Sequence, residues 1–235
     1  MTESRQIVCL ASTMRSGSTL LKALLAEAPD ISNLPEVNFQ KYSRNPAAEQ
    51  GILDLDPARI VLLKRPAWYT ECKNYPKLPQ VPQLKVIVLV RDAYNTVESC
   101  RKMTFWKFQK LASTLIDRRL AKGYWLSINR LLLNLHMNEQ VDSHLIRYED
   151  LVGNPIDETK SLFEFVGSTR VDGVDSYSAP DEFRWRWGRD DGSPNIRSLK
   201  VQPPRNKPQS NRRLADLIDN HSEIRTLRQD LGYLN

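Results

Sequence analysis

Short apolar runs alternate with helical patterns along most of this chain. Four runs rich in branched side chains predict buried strands at residues 6–13, 59–64, 85–91 and 143–148. Strands of a parallel sheet are covered on both faces, so they read as continuous apolar runs with helices between them. The pattern therefore predicts an α/β fold of three layers, with a central parallel sheet of four to five strands flanked by helices.

Helical periodicity and proline content predict the segments between and after these strands. Helical periodicity predicts helices at residues 18–27, within 37–44, at 94–102, across 107–138, at 154–167 and at 210–231, the last capped by Ser210 or Asn211. The proline-rich stretch 66–82 predicts an irregular surface connection. The stretch 168–209 lacks periodicity and is too long for a simple connector, which favours a lid or substrate loop. We expect one domain over residues 1–235, with a C-terminal helix within 210–235.

Composition narrows the class of protein. The net charge of +6 implies an anionic partner, which could be nucleic acid, a membrane surface or a phosphorylated small molecule. No apolar run approaches the ~20 residues that span a bilayer, and the N-terminus does not resemble a secretory leader. Three cysteines without a CxxC pair favour reduced thiols, so we expect a cytoplasmic protein. Three scattered histidines predict no metal site.

The segment "STMRSGSTLL" follows the first strand and opens a helix. Ser16, Gly17, Ser18 and Thr19 supply a turn, hydroxyl groups and the first helical amides, and Arg15 supplies positive charge. Amides at a helix start bind anions, so the segment predicts an anion site. A nucleotide-triphosphate P-loop would carry lysine where Ser18 stands, which counts against an ATPase. The alternative is that Gly17 only turns the chain and the serines cap a helix.

The strand predicted at residues 85–91 also ends at a positive charge. In "KVIVLVRDAYNTVES", Arg91 ends the strand and Ser99 lies about two helical turns later. The planar guanidinium suits phosphate, although a salt bridge from Arg91 to Asp92 or Glu98 is an equal alternative. Because the carboxyl ends of parallel strands share one edge, the two segments together predict a nucleotide with phosphates at two separate positions.

Three motifs together resemble the PAPS-dependent sulfotransferases, whose donor is 3′-phosphoadenosine 5′-phosphosulfate. "RSGSTLL" resembles the 5′-phosphosulfate loop of that family, "VIVLVRDAYNTVES" its 3′-phosphate motif, and "IRYEDLVGNP" its Tyr-Glu-Asp-Leu segment. Their order and spacing agree with the family over residues 7–167, and the match is weak beyond. The resemblance implies a P-loop-like fold and an enzyme that moves a sulfuryl group from PAPS to an acceptor hydroxyl, leaving adenosine 3′,5′-bisphosphate.

The resemblance also assigns donor-binding residues. The 5′-phosphosulfate would be held by Arg15, Ser16, Gly17, Ser18, Thr19 and Leu20. The 3′-phosphate would be held by Arg91 and Ser99, and Tyr148 would lie near the adenine. Ala93 departs from the family, which usually has proline there; this change affects the order of the helix start rather than the chemistry.

Sulfuryl transfer needs a base for the acceptor proton and positive charge near the leaving oxygen. No histidine follows the second strand, so we nominate Glu36, in a Pro-Glu context similar to that of bacterial and tyrosylprotein sulfotransferases, as the base. The alternative is that Glu36 caps the next helix. Arg15 and Lys64 would supply charge, although Lys64 is equally consistent with a solvated charge at the sheet edge. By analogy with phosphoryl transfer, positioning and electrostatics suffice without a metal.

The tail "FRWRWGRDDGSPNIRSLK" alternates aromatic and basic residues. Such a pattern suits single-stranded nucleic acid, with bases stacked on Trp185 and Trp187. The resemblance implies instead a loop that closes over the donor, with Arg197 or Lys200 reaching the 3′-phosphate; a third interpretation is simple packing of the tryptophans. Two rival functions are a P-loop-type small-molecule kinase and a non-enzymatic nucleic-acid binder. For the sulfotransferase, the acceptor hydroxyl would belong to a small molecule, a sugar or a lipid.

Overall fold

The fold is built on four parallel strands. We describe it from a computed structural model over residues 4–105, 113–179, 194–203 and 211–234. The strands are β1 (Gln6–Thr13), β2 (Ile60–Ala67), β3 (Lys85–Val90) and β4 (Asp142–Arg147), in the spatial order β2-β1-β3-β4. A search of these residues finds no helix long and apolar enough to cross a bilayer.

Helices connect the strands and close the fold. Their bounds are α1 (Ser18–Leu25), α2 (Ala48–Leu53), α3 (Ala93–Phe105), α4 (Ser113–Arg118), α5 (Ser127–His136), α6 (Tyr148–Gly153), α7 (Pro155–Val166), α8 (Pro194–Arg197), α9 (Arg212–Asn220) and α10 (Ser222–Asp230). A 3-10 turn spans Phe39–Tyr42, and a π-helical segment, Arg119–Leu126, joins α4 to α5.

Successive side chains of a strand point to opposite faces, and β1 divides the core in this way. Val8 and Leu10 pack on the face covered by α1 and α7, while Cys9 and Ala11 pack on the face covered by α3, the π-helical segment and α5. All four are fully buried. The predicted three-layer α/β fold with a parallel sheet is confirmed, with four strands in the part of the chain described here.

The register of the sheet sets which strand ends meet. Ser12 of β1 pairs with Leu89 of β3, and Val90 of β3 pairs with Arg147 of β4. Residues that follow these pairs by one to three positions therefore converge at one edge of the sheet. This edge receives both predicted anion-binding segments.

The strand predicted at residues 59–64 continues to Ala67 and includes Pro66. The prediction stopped too early because proline donates no hydrogen bond to a ladder and normally ends a central strand. Here β2 lies at the edge of the described sheet, where proline is tolerated.

Two helix predictions were wrong in detail. Within residues 37–44 the structure has only the 3-10 turn, which is too short for an α-helical pattern to identify. The single helix predicted at 210–231 is instead α9 and α10, because His221 adopts an extended backbone between them. Asn211 is the cap of α9, since its side chain accepts from the amide of Leu214 at 3.2 Å.

The C-terminal helices attach to the end of β3 through a buried ion pair. Nε of Arg228 on α10 donates to Oδ2 of Asp92 at 3.0 Å, and its Nη1 donates to Oδ1 of Asp219 at 2.8 Å. The side chains of Arg228 and Asp92 are only 9% and 12% exposed. Asp92 also caps α3, because its Oδ1 accepts from the amide of Tyr94. The pair therefore links α10 to the start of α3.

We expect Arg228→Met to lower the free energy of unfolding by about 3 kcal/mol, because it leaves the Asp92 carboxylate buried without its partner. Urea unfolding followed by circular dichroism measures the change. The matched control is Glu223→Gln, also on α10, which removes an ion pair with Arg130 whose side chains are 50% and 55% exposed. Exposed pairs contribute about 0–1 kcal/mol, so equal effects of the two variants would contradict this account.

Candidate functional site

The segment between β1 and α1, residues 14–17, forms a tight turn with two left-handed residues. Arg15 has φ 64° and Gly17 has φ 95°. The hydroxyl of Ser16 donates to the carbonyl of Thr13 at 2.7 Å, which closes the turn. Gly17 occupies the cap position of α1 and no side chain caps the first amides of that helix. A non-glycine residue in the left-handed region costs free energy, and such strain concentrates at binding sites.

The side chains of residues 18–20, which open α1, differ in their surroundings. Ser18 and Leu20 are buried, and the Leu20 side chain belongs to the core beneath α1. Leu20 therefore contributes no polar side chain to the turn. The hydroxyl of Thr19 accepts a hydrogen bond from Nζ of Lys64 at 3.0 Å, which ties α1 to β2.

The two predicted anion-binding segments touch each other. Nη1 of Arg91 donates to the carbonyl oxygen of Arg15 at 2.9 Å. Nε of Arg15 in turn donates to the hydroxyl of Ser99 on α3 at 3.0 Å. The sheet register explains this, because Arg91 lies two residues beyond the Ser12–Leu89 pair and Arg15 lies three beyond it. Two guanidinium groups and a hydroxyl thus share one edge of the sheet.

Tyr148 forms a wall of the same site. The guanidinium carbon of Arg91 lies 4.2 Å from the centroid of its ring, in cation–π geometry. The ring also packs on Gly17, where an added Cβ would lie 2.3 Å from Cδ2 of Tyr148. Glycine is required at this position by both its backbone and its neighbour. The ring of Tyr148 therefore contacts the turn and Arg91, and its place near an adenine stays a prediction.

Glu36 reaches the edge because its segment runs beside β2. The amide of Ser32 donates to the carbonyl of Ile60, and the amide of Val37 donates to the carbonyl of Lys64 at 3.2 Å. Oε2 of Glu36 consequently lies 3.8 Å from Nζ of Lys64. The arrangement places a carboxylate, an ammonium group and the first turn of α1 next to one another.

The geometry tests the alternative roles that the sequence left open for Lys64, Glu36 and Arg91. Lys64 is 2% exposed, so it is not a solvated charge at the sheet edge. The cap of the next helical turn is Asn38, whose side chain accepts from the amide of Gln40, so Glu36 does not fill that role. The salt bridges considered for Arg91 have other partners: Asp92 pairs with Arg228 and Glu98 pairs with Lys102 at 3.1 Å.

Two buried phenols hold the turn in place. The hydroxyl of Tyr75 accepts from the amide of Ser12 at 2.9 Å and donates to the carbonyl of Arg65. The hydroxyl of Tyr124 accepts from the amide of Met14 at 2.7 Å and donates to the carbonyl of Ala67 at 2.6 Å. Burial raises the pKa of Tyr124 well above its usual value, so the phenol stays protonated and keeps both bonds.

Two further side chains fix the end of β3. Nε1 of Trp125 donates to the carbonyl of Arg91 at 2.9 Å. Oε1 of Glu149 accepts from the amide of Asp92 at 3.2 Å, and burial raises the pKa of this carboxyl group. Sequence reasoning missed Tyr75, Tyr124 and Trp125, since no motif connects them with strand ends that lie 10 to 110 residues away in the chain.

The tail is only partly described. Residues 180–193, which include Trp185 and Trp187, lie outside the described residues. Nζ of Lys200 lies 3.2 Å from Oδ2 of Asp175, and the main chain at Lys200 pairs with that of Ser176. Arg197 is exposed at the last residue of α8. Lys200 therefore has an acidic partner in the described residues, and the contact of Arg197 or Lys200 with a 3′-phosphate stays a prediction.

No group of three or more histidine, cysteine, aspartate or glutamate side chains within the described ranges is arranged to hold a metal ion.

Comparisons with known proteins bear on the family and the fold of the chain. The family model of the sulfotransferase domain matches residues 5–188 of the chain. A comparison with curated protein sequences finds no match.

Three solved structures are similar in fold. The sulfotransferase domain from the curacin biosynthetic pathway has 23% identity and a TM-score of 0.57 over 98% of both chains. The sulfotransferase domain of the Synechococcus PCC 7002 olefin synthase has 20% identity and a TM-score of 0.63, over 100% of this chain and 98% of its own. A sulfotransferase from Alicyclobacillus acidocaldarius has 15% identity and a TM-score of 0.52, over 76% of this chain and 87% of its own.

Gly17→Ala tests the packing of Tyr148 on the turn. We expect it to destabilise the protein by ~2 kcal/mol more than a left-handed alanine alone, because the new methyl group overlaps the tyrosine ring. The matched control is Gly167→Ala, where φ is 71° and an added Cβ meets nothing within 4 Å. Denaturant midpoints of the two variants give the comparison.

A double-mutant cycle separates this overlap from backbone strain. In a Tyr148→Ala background, Gly17→Ala should cost only about the 1–2 kcal/mol of a left-handed alanine. If the cost of Gly17→Ala does not depend on Tyr148, the packing argument is wrong.

Proposed function

Because the chain belongs to the sulfotransferase domain family, we propose that it transfers a sulfuryl group from PAPS to an acceptor hydroxyl by in-line displacement, with Glu36 as general base. The observation that carries the proposal is the 2.9 Å hydrogen bond from Arg91 to the carbonyl of Arg15. It supports a donor with phosphates at two positions, because it joins two basic sites at one edge of the sheet.

Each part of the donor has a candidate partner. The 5′-phosphosulfate lies at the start of α1, where Gly17 leaves the first amides without a side-chain cap and Arg15 adds charge. The 3′-phosphate lies at Arg91 and Ser99, and the ring of Tyr148 forms a wall beside them. These roles follow the family resemblance and agree with the contacts among the same residues.

The reaction forms one bond and breaks one. The acceptor oxygen forms a new bond to sulfur while the bond from sulfur to the 5′-phosphate oxygen breaks, which releases adenosine 3′,5′-bisphosphate. The acceptor proton passes to Oε of Glu36. Lys64, 3.8 Å from Glu36 and 3.0 Å from Thr19, neutralises negative charge that develops near the start of α1. Two of the similar structures come from a biosynthetic pathway and an olefin synthase, which favours a small-molecule or lipid-like acceptor over a sugar.

The kinase alternative has less support. A kinase P-loop would place lysine at position 18, and the nearest lysine of α1, Lys22, is buried and donates to the carbonyl of Leu34 at 2.9 Å. This ammonium is therefore committed to the packing of α1 rather than to a terminal phosphate.

A thermal-shift comparison tests the donor. A ligand stabilises the native state according to the logarithm of its excess over its dissociation constant. We expect adenosine 3′,5′-bisphosphate to raise the melting temperature strongly, and ATP and AMP to raise it little. A larger shift with ATP and magnesium would favour the kinase, and salt-sensitive binding of oligonucleotides without any effect of the bisphosphate would favour a nucleic-acid binder.

Arg91→Ala should weaken binding of the bisphosphate by about 2 kcal/mol, or roughly thirtyfold, because a charge-assisted contact to the 3′-phosphate is lost. The affinity for AMP, which lacks that phosphate, should change less. Calorimetric titration measures both. Arg101→Ala, on α3 with a 3.5 Å contact to Asp117, is the control. An unchanged bisphosphate affinity in Arg91→Ala would exclude this role.

Glu36→Gln should reduce turnover at least about tenfold, equivalent to ~1.4 kcal/mol of barrier, because the amide cannot accept the acceptor proton. Affinity for the bisphosphate should stay nearly unchanged. Initial rates with saturating PAPS measure the first effect and titration the second. Glu49→Gln, in the first turn of α2, is the control. Retention of more than a tenth of the wild-type rate would rule out Glu36 as the base.

A further inference from the structure

A cavity of about 560 Å³ lies against the π-helical segment, and one of its lining residues, Tyr124, is bonded to the turn that carries Arg15. Six of its lining residues recur in pairs every four positions along α4 and the π-helical segment, so they share one face of a continuous helical run. The lining comprises Leu115 and Ile116, Arg119 and Leu120, Gly123 and Tyr124, together with Tyr69 from the segment after β2.

The wall of this cavity is bonded directly to the donor turn. Tyr124 accepts from the amide of Met14, the residue before Arg15, at 2.7 Å. The ring of Tyr69 lies 4.7 Å from the ring of Tyr124. Tyr124 also donates to the carbonyl of Ala67 at the end of β2, the strand on which Lys64 pairs with Glu36. The cavity therefore adjoins both the turn and the strand that positions the proposed base.

The lining of the cavity combines apolar walls with one positive charge. Its volume falls within the range of about 300–1,000 Å³ typical of small-molecule sites, and its walls are mainly apolar. Arg119 is the one charged side chain of the seven, and it forms no ion pair among the described residues. Arg119 lies five residues before Tyr124 in the π-helical segment, where hydrogen bonds join residues five apart, so the two are about one turn apart. A cation thus stands one helical turn from the end that meets Met14.

We propose that this cavity is the acceptor site and that it takes an amphiphilic alcohol with an anionic group. The apolar body lies along Leu115, Leu120 and Gly123, the anionic group pairs with Arg119, and the hydroxyl points to the turn at Met14 and Arg15. The guanidinium is always charged and matches the two oxygens of a carboxylate. The assignment rests on the proposed function, which it extends from the donor to the class of acceptor.

Gly123 offers a direct test because it is exposed and lies on the cavity face. An added Cβ there meets only Cγ of Arg119, at 3.8 Å, so Gly123→Leu fills the cavity without a clash against the main chain. The matched control is Gly153→Leu at the end of α6, where an added Cβ meets nothing within 4 Å. Arg119→Gln removes the charge, and its control is Arg118→Gln, the preceding residue, which lines a different cavity.

Three probes separate the contributions of charge and apolar contact: 8-hydroxyoctanoate, the uncharged 1,8-octanediol, and glycolate, which has charge but no apolar body. Calorimetric titration measures binding of each probe with and without adenosine 3′,5′-bisphosphate, and turnover with PAPS measures its use as an acceptor. The hydroxy acid should bind more tightly than the diol by roughly tenfold, as for a charge-assisted contact, and glycolate should bind least.

Gly123→Leu should abolish binding of the hydroxy acid while Gly153→Leu retains it. Arg119→Gln should remove the preference for the acid over the diol, and Arg118→Gln should preserve it. All four variants should bind the bisphosphate as the wild type does. If Gly123→Leu binds the hydroxy acid normally, or if glycolate binds as well as the longer acid, the cavity is not the acceptor site. If the wild type does not bind adenosine 3′,5′-bisphosphate, the donor assignment is wrong instead.

Discussion

The hydrogen bond from Arg91 to the carbonyl of Arg15 joins the ends of β1 and β3, and the geometry of the site depends on it. It holds the backbone of Arg15 in a left-handed conformation and leaves the Arg15 side chain to contact Ser99 on α3. Tyr148 adds a second constraint, since its ring packs under Arg91 and against Gly17. The turn is thus fixed from the side of β3 and from the side of β4.

Buried hydroxyl and indole groups fix the carboxyl ends of the strands through hydrogen bonds to the main chain. Tyr75, Tyr124 and Trp125 each bond to main-chain groups at the carboxyl ends of β1, β2 or β3. These strand ends leave the ladder, so their amides and carbonyls need other partners in a region without bulk water. A phenol with a raised pKa can both donate and accept, which makes it suited to join two strand ends at once. The arrangement thus ties the main chain before the turn to the end of β2.

Two ion pairs of different character lie at the carboxyl edge of the sheet. Arg228 and Asp92 form a buried pair that attaches α10 to the start of α3, and Asp92 uses its other oxygen to cap that helix. The cap accounts for an ordered helix start at Ala93 without the proline that the family usually carries there. Lys64 and Glu36 form the other pair, at 3.8 Å, beside the start of α1. The first pair is structural, whereas the second sets the carboxylate of the proposed base beside a cation at the start of α1.

The amino-acid sequence predicts the strands, the layer architecture and the two basic turns, because these depend on local patterns: continuous apolar runs and a glycine turn before a helix. It also placed Arg15, Arg91 and Ser99 on one edge, since parallel strands end together. The packing of the whole chain sets three further features: β2 continues through Pro66, His221 interrupts the last helix, and Lys200 contacts Asp175. It alone brought Tyr124 to Met14 and opened the cavity beside them. Those features depend on edge position and on contacts between residues far apart in the chain, for which no local pattern carries a signal.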